Sequence, residues 1–227
     1  MKKLSTLFSL FASFSVFAQY TPREIRKFKI SKITRLSVTN GSEAQKEEIW
    51  YDAYGNDTAE YRAGEIYKRV KYEYNTKGQP IKSTSYHADG TEIESAAYTY
   101  KPDGSYAVSD TGKSFGTTGY TYYNKAGKIT KTVSPDKTER IYSYDSKGRL
   151  LTIKSKPDDS GGVVTDIGYS YNPKGQLIKE VNKGDYKWTI TYTYNAKGLI
   201  VKSKNISISD GVANPEVTVS YEYEFRK

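Results

Sequence analysis

From Ile49 onward, apolar and polar positions alternate in short runs, and polar turns containing glycine interrupt the runs at regular intervals. Alternation with period two, bounded by Asn, Asp, Pro and Gly, reads as half-buried β-strands joined by hairpins. One phrase carries the pattern. It stands as KYEYNTKGQPIK around Gly78, YTYYNKAGKITK around Gly127, YSYDSKGRLLTI around Gly148, YSYNPKGQLIKE around Gly175 and YTYNAKGLIVKS around Gly198. Looser copies centre on Gly55, Gly90 and Gly104, and SYEYEFRK at the C-terminus stops before its turn. From Gly55 through Gly78, Gly104, Gly127, Gly148 and Gly175 to Gly198 the spacings are 23, 26, 23, 21, 27 and 23 residues. A recurring period of this size marks a repeat architecture.

Each unit has a mechanical reading. Asn172-Pro173-Lys174-Gly175 suits a type I turn closed by a left-handed residue, the common three-residue hairpin loop. Glycine recurs there because a side chain in the left-handed region costs about 1–2 kcal/mol. The loop predicts the pairing: Tyr171 faces Leu177, Ser170 faces Ile178 and Tyr169 faces Lys179. In the other units the tyrosine four before the glycine meets Pro80, Ile129, Leu150 or Ile200. The tyrosine two earlier meets Lys82 (from Tyr72), Thr152 (from Tyr142) or Lys202 (from Tyr192). One face then carries tyrosines, aliphatics and lysine stems laid over rings. Ile81, Leu151, Ile178 and Val201 point to the other face among Ser and Thr, so the sheet must be covered on both sides or curl. The expected fold is all-β, with stacked antiparallel hairpins forming a long, twisted or curled sheet: a partial shell, a barrel or a sandwich. In GYTYYNKAG the pair Tyr120 and Tyr122 is one residue out of phase. Either a bulge corrects it, or Thr121 and Tyr123 take the inward places.

The phrase Tyr-x-Tyr-Asn/Asp-x-x-Gly-Arg/Gln-Leu resembles the YD-repeat, or RHS-repeat, family. YSYDSKGRL (Tyr142 to Leu150) is the nearest instance, and YDAYGN (Tyr51 to Asn56) is similar to the family's tyrosine-aspartate core. The resemblance runs over roughly residues 49–227. It implies stacked hairpins in a long spiralling sheet and an extracytoplasmic setting. Large members close shells around toxin domains, and teneurins carry a similar shell at the cell surface. The units here are too few to enclose another domain.

The first residues, MKKLSTLFSLFASFSVFAQY, follow a different pattern. Lys2 and Lys3 precede a short apolar stretch from Leu4 to Val16, and Val16-Phe17-Ala18 completes a secretory signal with cleavage before Gln19. The stretch is shorter than the ~20 residues of a bilayer span. Residues 1–18 are therefore read as a signal peptide, 19–48 as a leader with the first strand, and 49–227 as the hairpin-repeat domain. Cleavage leaves 227 − 18 = 209 residues and takes the net charge from +9 to +7 as Lys2 and Lys3 depart. The absence of cysteine removes disulfides, thiol nucleophiles, thiolate metal sites and a lipidated cysteine. The expected product is periplasmic or extracellular, with neither lipid anchor nor transmembrane helix. Apolar residues make up 36% of the chain, low against the usual ~45–50%, and 23 tyrosines fill part of the gap.

Catalytic chemistry is thinly represented. His87 is the sole histidine and stands beside a predicted turn, which excludes His-pair metal sites. Asp103, Asp145, Asp158 and Asp159 occupy turn contexts, where Asp is favoured for backbone hydrogen bonding. No run has calcium-loop spacing, and no helix pattern follows DDSGGVV to hold a phosphate. No catalytic residue, metal or cofactor is assigned. A pI near 9.3 with many tyrosines suits nucleic acid, but export argues against that partner. Lys77, Lys125, Lys147, Lys174 and Lys197 all fall in turns. The expected function is a non-enzymatic binding or structural module at the bacterial cell envelope or outside it. It would contact anionic glycans, envelope polymers or another exported protein. The binding candidates are Trp50, Tyr169, Tyr171, Lys179, Trp188, Tyr192, Tyr194 and Lys202: rings to stack on sugars and ammonium groups to pair with acidic substituents. Two other readings stay open, a small glycan-acting hydrolase using turn carboxylates and an outer-membrane β-barrel.

Overall fold

The computed structural model describes residues 20, 22–39, 42–112, 118–156, 165–209 and 211–227. The expected signal peptide with its cleavage site, and the stretch DDSGGVV with Asp158 and Asp159, lie outside the described residues. One short helix, α1 (Pro22–Lys27), precedes β1 (Ile30–Thr39), β2 (Gln45–Tyr51), β3 (Asp57–Arg62), β4 (Glu65–Tyr74), β5 (Pro80–Tyr86) and β6 (Glu92–Tyr100). Then come β7 (Tyr106–Gly112), β8 (Thr118–Tyr123), β9 (Ile129–Val133), β10 (Glu139–Tyr144), β11 (Leu150–Lys156) and β12 (Asp166–Tyr171). The chain ends with β13 (Leu177–Asn182), β14 (Lys187–Tyr194), β15 (Ile200–Ser209), β16 (Val212–Ala213) and β17 (Val217–Phe225). The leader thus contributes α1, β1 and the start of β2.

Each strand from β1 to β15 pairs antiparallel with the next, and β1 pairs with both β2 and β17. The β16 stub pairs only with β15, while β15 also pairs with β17. The sheet therefore closes on itself as a 16-strand barrel. Closure consumes both edges, which are otherwise a template for pairing between copies.

The repeat follows from this topology, since one unit is one strand up and one strand down. The turns at Gly55, Gly78, Gly104, Gly127, Gly148, Gly175 and Gly198 accordingly all lie at one end of the barrel, with α1 and the C-terminus; His87 and Gly90 lie at the far end. The seven glycines have φ between +70° and +85°. At Gly175 the N–H donates to the Asn172 carbonyl at 2.9 Å, and Asn172 N–H donates to the Gln176 carbonyl at 2.9 Å. The Asn172 side-chain oxygen accepts from Gln176 N–H at 3.0 Å. Asp52, Asn75, Asn124, Asp145 and Asn195 accept from the equivalent N–H in their own turns. Either acid or amide supplies that oxygen, so Asn replaces Asp freely here.

The register agrees with expectation for one pair and then shifts. Tyr74 meets Pro80, Tyr123 meets Ile129, Tyr144 meets Leu150, Tyr171 meets Leu177 and Tyr194 meets Ile200. A β-bulge follows at once. Ile81, Thr130, Leu151, Ile178 and Val201 are each an extra residue, so Ser170 pairs with Lys179 and Tyr169 with Glu180. Tyr72 faces Ser83, Tyr142 faces Ile153 and Tyr192 faces Ser203. The expected pairs Tyr169–Lys179, Tyr72–Lys82, Tyr142–Thr152 and Tyr192–Lys202 are therefore corrected. One inserted residue turns every later side chain to the other face.

The bulge coincides with a second device. In five units the tyrosine hydroxyl donates to the backbone carbonyl beside the bulge of the preceding unit, while Tyr74 donates to the Asp52 carboxylate at 2.7 Å. Tyr100 donates to Pro80 at 2.9 Å, Tyr144 to Ile129 at 2.7 Å, Tyr171 to Leu150 at 2.8 Å, Tyr194 to Leu177 at 2.7 Å and Tyr223 to Ile200 at 2.7 Å. The Gly104 hairpin has no bulge: Tyr100 faces Tyr106 and Thr99 faces Ala107. No tyrosine hydroxyl reaches it, and Tyr123 instead stacks on Tyr106 with centroids 4.3 Å apart. This explains why the repeat keeps tyrosine where phenylalanine would pack as well. Tyr171→Phe is expected to lower stability by about 1–3 kcal/mol, because it strands a carbonyl. Tyr123→Phe should stay within ~0.5 kcal/mol. Urea denaturation of the two variants checks the contrast.

The buried hydrophobic cluster gathers about α1. Ile25 of α1 is 1% exposed among Ile30, Ile33, Leu177, Ile190, Leu199, Ile200 and Tyr221. Tyr20 enters the same cluster, its hydroxyl 3.2 Å from that of Tyr223 and accepting from Ile200 N–H at 3.0 Å.

Candidate functional site

The wall divides the expected binding residues. Inward from β12 and β14 point Tyr169, Tyr171, Trp188, Tyr192 and Tyr194, while Lys179 and Lys202 point outward, as does Trp50 from β2. The inward rings are committed to structure. Tyr192 donates to Glu180 at 2.6 Å, and that carboxylate is 2% exposed. Tyr171 and Tyr194 belong to the hydroxyl ladder described above, and Tyr169 and Trp188 pack against the core cluster. Trp50 is 40% exposed, with the Lys32 ammonium 5.2 Å from its ring centroid and Tyr61 tilted beside it.

Charged groups on the inner wall pair with one another. Arg35 pairs with Glu47, and Arg62 bridges Glu47 at 3.5 Å and Glu60 at 2.7 Å. Tyr72 donates to Asp57 at 3.0 Å. Burial lowers the pKa of the Arg35 guanidinium, whose Nη1 has no hydrogen-bond partner. The turn carboxylates serve the backbone. Ser105, through its hydroxyl and N–H, holds Asp103 below the usual carboxylate range. The backbone N–H of Arg149 and then its guanidinium do the same for Asp145. His87 is exposed in its turn. Among the described residues no group of three or more acidic or histidine side chains is placed to hold a metal ion.

Charge segregates between the two ends, which no single unit reveals. The seven turns at the α1 end carry Lys77, Lys101, Lys125, Lys128, Lys147, Arg149, Lys174 and Lys197 against Asp52, Asp103 and Asp145. Arg23, Arg26, Lys27, Lys29, Arg226 and Lys227 join them, opposed by Glu24. The described turns of the far end carry Lys137 and Lys183 against Glu43, Asp89, Asp136, Asp185 and Glu216. Lys77, Lys125, Lys147, Lys174 and Lys197 are all exposed. A shallow depression of about 470 Å³ between two of these turns is lined by Lys174, Gln176, Tyr194, Asn195 and Lys197. Of the expected rings, Tyr194 lines this depression, together with lysines from turns and not from the paired strand.

Residues 21–209 match the family described as Teneurin YD-shell. No curated protein matches the sequence. Among solved structures, a porin-like protein from Bacteroides uniformis ATCC 8492 is similar at TM-score 0.55 and 13% identity, over 86% of this chain and 98% of that one. The likeness at such identity is one of fold. The TcdB2-TccC3 crystal structure shares 15% identity at TM-score 0.34, over 83% of this chain and 15% of that one. A Photorhabdus luminescens Tc holotoxin pore shares 11% at TM-score 0.32, over 73% and 13%. The tyrosine-turn phrase, the antiparallel wall that spirals shut and the match across most of the sequence all agree. The chain belongs to the teneurin YD-shell family, as a structural β-shell module.

Proposed function

We propose that this shell is an exported, non-enzymatic binding module of the cell envelope or its surroundings, holding anionic glycans or envelope polymers on the basic end of its barrel. The observation that carries the reading is the gathering of turn lysines at one end. In sequence, Lys77, Lys147, Lys174 and Lys197 each stand one residue before a turn glycine. The closed up-and-down topology sets them on one rim. A rim of like charge offers a polyanion many contacts at once, each weak and screened over about 10 Å at 0.1 M salt.

Two competing readings have less support. The outer wall carries Lys71, Lys154, Lys202 and Lys204 along its strands. A lysine on a lipid-facing wall costs about 2–4 kcal/mol near the bilayer midplane, so this wall suits water. A glycan hydrolase acting through turn carboxylates needs one of them to keep its proton, whereas Asp103 and Asp145 are held toward the ionised form.

The mature chain should be retained on immobilised polygalacturonate at 50 mM NaCl and released as salt rises. Replacing Lys77, Lys147, Lys174 and Lys197 together by Glu should abolish retention while circular dichroism stays unchanged. The pair Lys179→Glu and Lys202→Glu on the outer wall should retain most of it. Equal losses in both variants, or no retention at low salt, would sink the reading.

A further inference from the structure

After the expected signal the chain holds 23 tyrosines but only three phenylalanines, Phe28, Phe115 and Phe225. Phe115 lies outside the described residues. The other two meet. Phe28 follows α1, Phe225 ends β17, and both line a depression of about 350 Å³ at the basic end of the barrel. Counting from Tyr223, Phe225 falls where the other units of this end carry Ala53, Thr76, Pro102, Lys125, Ser146, Pro173 and Ala196, none of them a ring. The tyrosines of the ladder each give a hydroxyl to a backbone carbonyl. Phenylalanine has none to give, so these two rings offer apolar surface alone, and Phe225 is 45% exposed.

The walls of the depression are held in place and basic. Arg226 N–H donates to the Lys29 carbonyl at 2.8 Å, which ties the end of β17 to the residues after α1. The Arg226 guanidinium donates to the Tyr51 carbonyl at 2.9 Å. Leu199, 2% exposed, lines the depression from a place where other units carry Gln79, Arg149 and Gln176. Lys29 has φ +54°, a left-handed conformation that falls mostly to glycine in this chain. The Lys27 ammonium stands 5.3 Å from the Phe28 ring centroid, and the Lys197 ammonium 5.7 Å from that of Phe225. Lys27, Lys29 and Lys197 are all exposed. No carboxylate lines the depression. Glu224, the neighbour of Phe225, pairs with Lys32 at 2.6 Å, and Glu24, one turn earlier on α1, lies outside the lining.

We propose that this depression holds one uronate residue of an anionic glycan, the pyranose C–H face on Phe225 and the carboxylate among the ammonium groups of Lys27, Lys29 and Lys197. The proposal deepens the reading of the basic end as a glycan-holding surface and rests on it. Three features choose the ligand. Cationic walls without a carboxylate select an anion. Rings without hydroxyls select a ligand with an apolar face, which a bare sulfate or phosphate group lacks. Each ring also has an ammonium group beside it, so one ligand residue can meet both, and a uronate carries its carboxylate on the same ring as its apolar face. The volume lies near the lower end of ligand sites, which suits one residue of a polymer that continues along the rim lysines.

The test is fluorine NMR of the mature chain carrying 4-fluorophenylalanine, with Phe28→Leu and Phe225→Leu assigning the signals. The chain is titrated at 50 mM NaCl with trigalacturonate, maltotriose, sodium sulfate and benzoate. Trigalacturonate should shift the Phe225 signal saturably, and maltotriose and sulfate should leave it in place. By calorimetry Phe225→Leu should weaken trigalacturonate about tenfold, while retention of that variant on dextran sulfate stays unchanged. An unmoved Phe225 signal, or undiminished affinity in Phe225→Leu, overturns the subsite even where the chain is still retained on polygalacturonate. Benzoate that shifts the same signal and displaces trigalacturonate assigns the depression to an aromatic carboxylate and overturns the uronate. No retention on polygalacturonate is a different failure: it overturns the basic-end reading, and the subsite with it.

Discussion

Raising the pH above about 10 is expected to unfold the barrel in one cooperative step. The unperturbed tyrosine pKa is about 10, and burial of the inward phenols pushes Tyr106, Tyr144 and Tyr171 up to about 12. Burial raises Tyr72, Tyr123, Tyr169, Tyr194 and Tyr223 as well. Each of these groups is an acid whose folded pKa exceeds its unfolded one, so the native state holds the proton longer. The resulting stabilisation is full below the unfolded value and is lost as the pH climbs through the folded values. Within that window each such tyrosine removes about 1.4 kcal/mol per pH unit. A domain has only about 5–15 kcal/mol in total, so several tyrosines acting together exhaust it within one to two units. Far-UV circular dichroism and tyrosinate absorbance should change together between about pH 10 and 12. A barrel still intact at pH 12.5 with its phenols ionised would contradict the assignment of these rings to the interior.

Much of this architecture is legible in the sequence because the hairpin unit is local. A left-handed glycine, an Asn or Asp three residues before it and a tyrosine four before it fix the turn and its first pair within one stretch of chain. The second pair departs from strict alternation for an equally local reason. The two residues that follow the position after Gly are Pro80-Ile81, Leu150-Leu151, Leu177-Ile178 and Ile200-Val201. Two apolar neighbours in a half-buried strand signal an interrupted phase, and the bulge falls there. It sends Lys82, Lys179 and Lys202 outside and leaves the tyrosines facing Ser83, Glu180 and Ser203. Closure and the basic rim were not legible. Both depend on β1 meeting β17, whose partners are separated by most of the chain, as in Arg35 with Tyr221. The out-of-phase tyrosines were legible as a choice between two outcomes, and the structure takes the one with Thr121 and Tyr123 inward.

The leader carries more of the fold than its composition announces, and one substitution brings this out. Gly55→Ala is expected to cost about 3–5 kcal/mol, against about 1–2 kcal/mol for Gly175→Ala. Both glycines have positive φ, +84° and +82°, so the conformational strain of a side chain is common to the two. The surroundings differ. A Cβ at Gly175 meets nothing within 4 Å, whereas at Gly55 it would stand 2.2 Å from the Pro22 carbonyl oxygen and 2.9 Å from its carbon. Those are backbone atoms at the start of α1, and no side-chain rotation relieves the overlap. The helix must move, and with it Ile25, whose burial is worth roughly 1.5–3 kcal/mol. The hydrogen bond from Arg26 to the Tyr54 carbonyl at 3.1 Å is lost in the same motion. Displacement also predicts non-additivity. Ile25→Ala alone should be costly, yet little should be added when it is combined with Gly55→Ala, because the side chain has already left its site. Denaturant midpoints of the two glycine variants, of Ile25→Ala and of the double variant form the cycle. Equal losses at Gly55 and Gly175, or full additivity with Ile25→Ala, would mean that the helix does not rest on this turn.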